Sequence, residues 1–123
     1  MDGLYEDCFV ELDNYVLKIK NYYFPSKKAK IVNVDSIQVL WFEEQGENSC
    51  SPTKIWGKSS ASIYWAFDVK RRNHHSSDGK YNIVIDVGQP IRHGFSVMNG
   101  DGFMEAIRYL LDYHTIIVDS INL

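Results

Sequence analysis

The first half of the chain alternates apolar and polar residues in period two. Tyr15, Leu17 and Ile19 oppose Lys18 and Lys20, which is how a half-buried strand reads. This run continues through Phe24 and stops at Pro25-Ser26; an earlier β-like run, Cys8 to Leu12, is set off from it by Asp13-Asn14. Strand pattern returns at Lys30–Val34, and a dense apolar run follows from Ile37 to Phe42. Residues 43–54 are polar and carry Gly46, Asn48, Ser49, Ser51 and Pro52, so they read as a loop. Ile63, Trp65, Phe67 and Val69 alternate next. After a loop at 71–80, Tyr81, Ile83, Ile85 and Val87 do so, and then Ile91, His93, Phe95 and Val97.

Beyond Asn99-Gly100-Asp101-Gly102 the period changes. Phe103, Met104, Ile107, Leu110 and Leu111 recur at helical spacing, with Asp101 as the expected N-cap. The pattern predicts strands at about 5–12, 15–24, 29–34, 36–43, 62–70, 81–87 and 91–98, and a helix at about 102–113. The tail 114–123, with Thr115-Ile116-Ile117-Val118, is expected to form a short strand or a packed extension. No repeat or second domain is visible, so residues 1–123 read as one domain.

That order of seven strands and one amphipathic helix resembles the pleckstrin-homology-like (PH-like) superfold, and is most similar to small bacterial PH-like and GRAM-like domains. Residues 12–44 (LDNYVLKIKNYYFPSKKAKIVNVDSIQVLWFEE) resemble the second to fourth strands. Residues 94–111 (GFSVMNGDGFMEAIRYLL) resemble the last strand and the helix. The resemblance spans about residues 5–113 and implies a mainly β (α+β) class. It implies a seven-stranded sandwich or partly open barrel of two antiparallel sheets, capped by the C-terminal helix. A larger ligand barrel fits less well, because here the helix follows the last strand. In lipid-binding members the headgroup lies among the loops after the first, third and sixth strands. Here those are Asp13-Asn14, Asp35-Ser36 and Gly88-Gln89-Pro90, short and partly acidic, and the first strand offers Glu6, Asp7 and Glu11, expected as a solvated face. The usual phosphoinositide pocket is therefore not expected.

A chain of 123 residues with 45% hydrophobic content can bury a core without disulfides or metal. The net charge of −3 gives no basic field for nucleic acid, and none is expected as a partner. Cys8 and Cys50 read as reduced thiols of a cytoplasmic protein. The N-terminal residues are not expected to act as a secretory signal, and no apolar run approaches a membrane span.

Candidate chemistry is sparse. Lys18, Lys20, Lys27, Lys28 and Lys30 occur with no acid between Asp13 and Asp35, and read first as a solvated hairpin with charged edges. Lys70, Arg71 and Arg72 with His74 and His75 form a basic loop, without the paired ligands of a zinc site. Trp41 and Trp65 are expected in the core and Trp56 at the surface. His93 and His114 have no spaced carboxylate that marks a triad, so no catalytic residue, metal or cofactor is expected.

The expected function is a non-catalytic interaction module that binds a protein or peptide at a sheet edge or the helix groove. The alternative is a weak peripheral binder of anionic lipid headgroups through loops 25–30 and 70–80, using Lys27, Lys28, Lys30, Arg71 and Arg72. The sequence fixes neither the partner nor the oligomeric state.

Overall fold

Two aspartates set the turns of the N-terminal sheet in the computed structural model, which describes residues 4–23, 25–45, 53–71 and 79–123. Asp7 Oδ1 accepts from the amides of Phe9 (2.6 Å) and Val10 (3.0 Å), and Asp13 Oδ1 from those of Tyr15 and Val16 (2.8 Å each). These carboxylates reproduce the local bonding that aspartate brings to turns. Between and beyond them run β1 (Tyr5–Glu6), β2 (Val10–Leu12), β3 (Val16–Tyr23) and β4 (Lys28–Asn33), an antiparallel sheet in the order β1-β2-β3-β4. The expected strand 5–12 is thus two strands folded on each other at Asp7. Asp7 is no solvated acid, because its Oδ2 also accepts from the Tyr5 hydroxyl (2.6 Å) and the Met98 amide (2.8 Å).

Register aligns Leu12, Leu17 and Val32 on the inner face, all buried, and Glu11, Lys18 and Ile31 on the outer face. Pairing slips between Ile19 and Tyr23, where Asn21 takes a left-handed backbone (φ 52°).

The second sheet contains β5 (Val39–Glu44), β6 (Gly57–Lys58), β7 (Ile63–Trp65), β8 (Tyr81–Asp86), β9 (Arg92–Val97) and β10 (Ile116–Val118), ordered β10-β5-β8-β9-β7-β6. The central strands β5, β8 and β9 are antiparallel, but β7 pairs β9 and β10 pairs β5 in parallel. Expected strand 62–70 is therefore only Ile63–Trp65, and β6 and β10 add to the expected seven. Among the described residues no closed barrel forms, and they are mainly β, with two sheets and one α-helix.

Both faces of this sheet are covered, which is why β8 and β9 are buried almost residue by residue. On the inner face Leu40, Ile83, Ile85, Phe95 and Val97 join the first sheet in the main core. On the outer face Ile63, Trp65, Val84 and Ile121 form a second cluster, with Trp41 and Ala61 packed against it. Gly94 exists to admit Trp65: a Cβ there would lie 2.5 Å from the indole ring.

Helix α1 (Gly100–Leu110) sends Phe103, Met104 and Ile107 into the main core. It starts and ends earlier than expected, and its cap is Asn99, whose Oδ1 accepts from the Gly102 amide (3.0 Å). Asp101, the expected cap, instead accepts from the Tyr81 hydroxyl (2.9 Å). The helix can begin at residue 100 because Gly100 sits on the Tyr81 ring, where a Cβ would come within 2.2 Å. Leu111 is extended, and Asp112 turns the chain by accepting from the His114 amide (2.8 Å), so the tail reaches the β5 edge as β10.

Candidate functional site

At one end of the second sheet, β5 finishes, β8 begins and β9 finishes side by side. Gln45, Lys80, Asn82 and Ser96 project there, and the segment after β7 brings Asp68 and Arg71 to meet them; all six are buried. Asp68 Oδ2 accepts from Ser96 Oγ (2.6 Å), Gln45 Nε2 (3.3 Å) and Lys80 Nζ (2.9 Å), and Oδ1 from the Lys70 amide (3.0 Å). Arg71 reaches Asn82 Oδ1 (3.2 Å) and Ser96 Oγ (3.1 Å), and donates to the carbonyls of Lys54, Ile55 and Ala66. Its guanidinium lies 4.7 Å from the Trp65 ring centroid, and the Lys80 ammonium 5.0 Å from that of Phe9.

Burial pulls the Arg71 pKa down to about 10, against the opposing charge of Asp68, and the group stays cationic at neutral pH. Burial alone would raise the Asp68 pKa. Hydrogen bonds from Ser96 and Lys80, with the charges of Arg71 and Lys80, outweigh it and leave the carboxyl below its ordinary value. One carboxylate is therefore set against two buried cations, an excess of one positive charge among the described members of this cluster.

Asp68 and Lys80 also line a pocket of about 400 Å³. Cys8, Phe9 and Asn21 form its wall on the side of the first sheet, and Phe67, Val69, Lys70 and Met98 complete it. The Phe67 amide donates to the Asn21 carbonyl (3.0 Å) and fixes the two walls together. The Cys8 thiol at the rim has its pKa raised, first by partial burial and then by Asp7.

A second titratable pair lies elsewhere. His93, on the inner face of β9, is buried, and its Nδ1 is hydrogen-bonded with the Tyr22 hydroxyl (2.6 Å). Among the described residues the buried Nε2 has no hydrogen-bond partner, and neither has Gln45 Oε1. Burial, with the charge of Lys30 adding to it, holds the His93 pKa down to about 4. His93 borders a groove of about 190 Å³ beside β4 with Lys30, Asn33, Ser36 and Gln89.

The residues singled out from sequence do not gather into one surface. Lys27 and Lys28 are exposed at the β3–β4 turn, and Lys30 is half-buried. Arg71, expected on an exposed basic loop, is instead 3% exposed, its charge spent on carbonyls and the Asp68 cluster. Arg72, His74, His75 and Cys50 lie outside the described residues. Trp65 is fully buried, Trp41 partly buried with Arg92 over its ring (5.2 Å), and Trp56 40% exposed. Sequence reasoning missed Gln45, Asp68, Lys80, Asn82 and Ser96. A usable signal was present: Asn82 flanks the unbroken run Ile83-Val84-Ile85, which marks a strand covered on both faces and so makes Asn82 a buried polar residue.

Among the described residues no group of three or more His, Cys, Asp or Glu side chains is placed to hold a metal, and no helix is long and apolar enough to cross a membrane. Compared with protein-family models, with curated proteins and with solved structures, the chain matches none of them, so the site is read from its own geometry.

Proposed function

We propose that this domain is a non-catalytic binding module that takes a small ligand into the pocket between the Cys8–Phe9 turn and the 67–70 segment. The carrying observation is the placement of the buried Asp68–Lys80 pair in the wall of a largely apolar pocket of about 400 Å³. A cavity of a few hundred Å³ with apolar walls and a few convergent polar groups suits a small organic ligand. A nucleophilic role for Cys8 is disfavoured, because its thiol pKa is shifted up where a nucleophile needs it shifted down. We also keep the PH-like sandwich as the reading of the fold. Its support is the order of an antiparallel N-terminal sheet, a second sheet and a helix directly after β9; the parallel partners β7 and β10 depart from it. Cytoplasmic residence is part of the proposal.

The test is an amide-resolved NMR screen of the full chain against small neutral, anionic and cationic organic fragments. Binders are expected to converge on Phe9, Asn21, Phe67, Val69 and Met98. Binders that avoid these residues would contradict the proposal.

A second reading, peptide capture by strand addition, has one observation in its favour. β4 is the edge of its sheet, and Ile31 on it is 55% exposed. The bond from the Val34 amide to the Tyr15 carbonyl sets the alternation that turns the backbone groups of Ile31 and Asn33 away from β3. In the same screen, shifts along Lys28–Asn33 on adding extended peptides would favour it. The headgroup reading retains Lys27 and Lys28 at their turn and loses Arg71 to the interior.

A further inference from the structure

We infer that the ligand of this pocket is a small monocarboxylate with an apolar body, of the class of medium-chain fatty acids. The inference rests on the pocket reading above and adds the sign of the ligand's charge and its shape. Three observations carry it. The first is the charge imbalance: Asp68 is paired with Lys80 at 2.9 Å, Arg71 in the same buried cluster acts on it through its charge without a direct hydrogen bond, and a buried charge without a counterion is costly. An anion entering beside Lys80 supplies the missing charge.

The second is donor capacity. Asp68 already accepts from Ser96, Gln45, Lys80 and the Lys70 amide, so it has little left to offer a cationic ligand. The Lys80 ammonium carries three donors, with Asp68 as its acceptor among the described residues. Lys70, exposed at the rim, adds a second cation on the ligand's path.

The third is the wall. Phe9, Phe67, Val69 and Met98 form an apolar surface suited to an alkyl body, and Met adapts to flexible chains. A monoanion is favoured over a phosphate, because the pocket is mostly apolar and a doubly charged group loses more hydration on entering it.

The experiment titrates the full ¹⁵N-labelled chain with octanoate, 1-octanol and octylamine, each below its aggregation threshold. Octanoate is expected to shift the amides of Phe9, Phe67, Val69, Lys80 and Met98, and to bind about tenfold or more tighter than 1-octanol. Lys70→Gln, at the exposed rim, is expected to weaken octanoate by about two- to fivefold and to leave 1-octanol unchanged. Equal binding of octanoate and 1-octanol at these residues would overturn the carboxylate assignment while the pocket stood. Preference for octylamine would overturn it as well. Shifts confined to other parts of the molecule, or none with any of the three, would overturn both the assignment and the pocket.

Discussion

Arg71 uses all three guanidinium nitrogens, and three of its acceptors are main-chain carbonyls of segments that otherwise have little regular structure. It therefore holds the covering over the outer face of the second sheet as well as neutralising Asp68. Arg71→Met is expected to cost roughly 3 kcal/mol or more, because it leaves those carbonyls, Asn82 and Ser96 short of a donor and removes a positive charge that favours the Asp68 carboxylate. Urea unfolding at pH 7 checks this, and a loss under about 0.5 kcal/mol, as at an ordinary surface site, would mean the cluster is not structural. His93 makes a prediction about pH. Its pKa in the folded chain is about 4, held down by burial and then by Lys30, against 6.5 ordinarily. Between those values the unfolded chain takes up a proton that the folded chain refuses. Stability is then whole above about pH 6.5 and falls as pH drops toward 4. Asp68, Asp13 and Asp112, with lowered carboxyl pKa values, add their losses further down, below their ordinary range. His93→Phe should flatten the part of the stability profile between pH 6.5 and 4; an unchanged slope there would place the titrating group elsewhere.

At the scale of elements, two glycines mark where packing overrules local preference. Alanine normally strengthens a helix relative to glycine by about 1 kcal/mol. At Gly100 the added Cβ would meet the Tyr81 ring at 2.2 Å, and at Gly94 it would meet Trp65 at 2.5 Å. Gly100→Ala and Gly94→Ala are each expected to destabilise by about 1–3 kcal/mol, measured by thermal unfolding. A stabilised Gly100→Ala would show that the helix does not start against that ring. Ile121→Ala should cost about 2–4 kcal/mol, since this fully buried side chain closes the outer cluster over Val84. These elements also show what the sequence could reveal. Strands β3, β8 and β9 were legible because their alternation or apolar density is local, and so was the helix stripe Phe103, Met104, Ile107. The helix start was misplaced because Gly100 is chosen by contact with a residue on β8. β6 is two residues long, too short to carry a period. β7 lies inside the longer strand expected at 62–70, and β10 is one of the two forms expected of the tail, but the parallel pairing of both is set by distant partners.

Across the whole molecule, the sheet covered on both faces explains why the site was hidden in the sequence. Lys80 and Arg71 come from a stretch whose composition reads as solvated loop, and Asp68 from the polar side of an expected strand. Only the fold brings them against Gln45, Asn82 and Ser96, where an overall charge of −3 coexists with a locally positive interior. The N-terminal Cys8–Phe9 turn then closes the other side of the pocket, so the pocket is built from both sheets at once. The most direct test compares the wild-type chain with Val69→Trp in one NMR titration against the tightest small-molecule binder found. Val69 lines the pocket and is 62% exposed, so the larger ring can narrow the mouth without entering the core. The account predicts that Val69→Trp keeps the wild-type fold and loses at least about tenfold in affinity, about 1.4 kcal/mol. Unchanged affinity, with the same amides shifting, would contradict it and move the ligand site to another part of the surface.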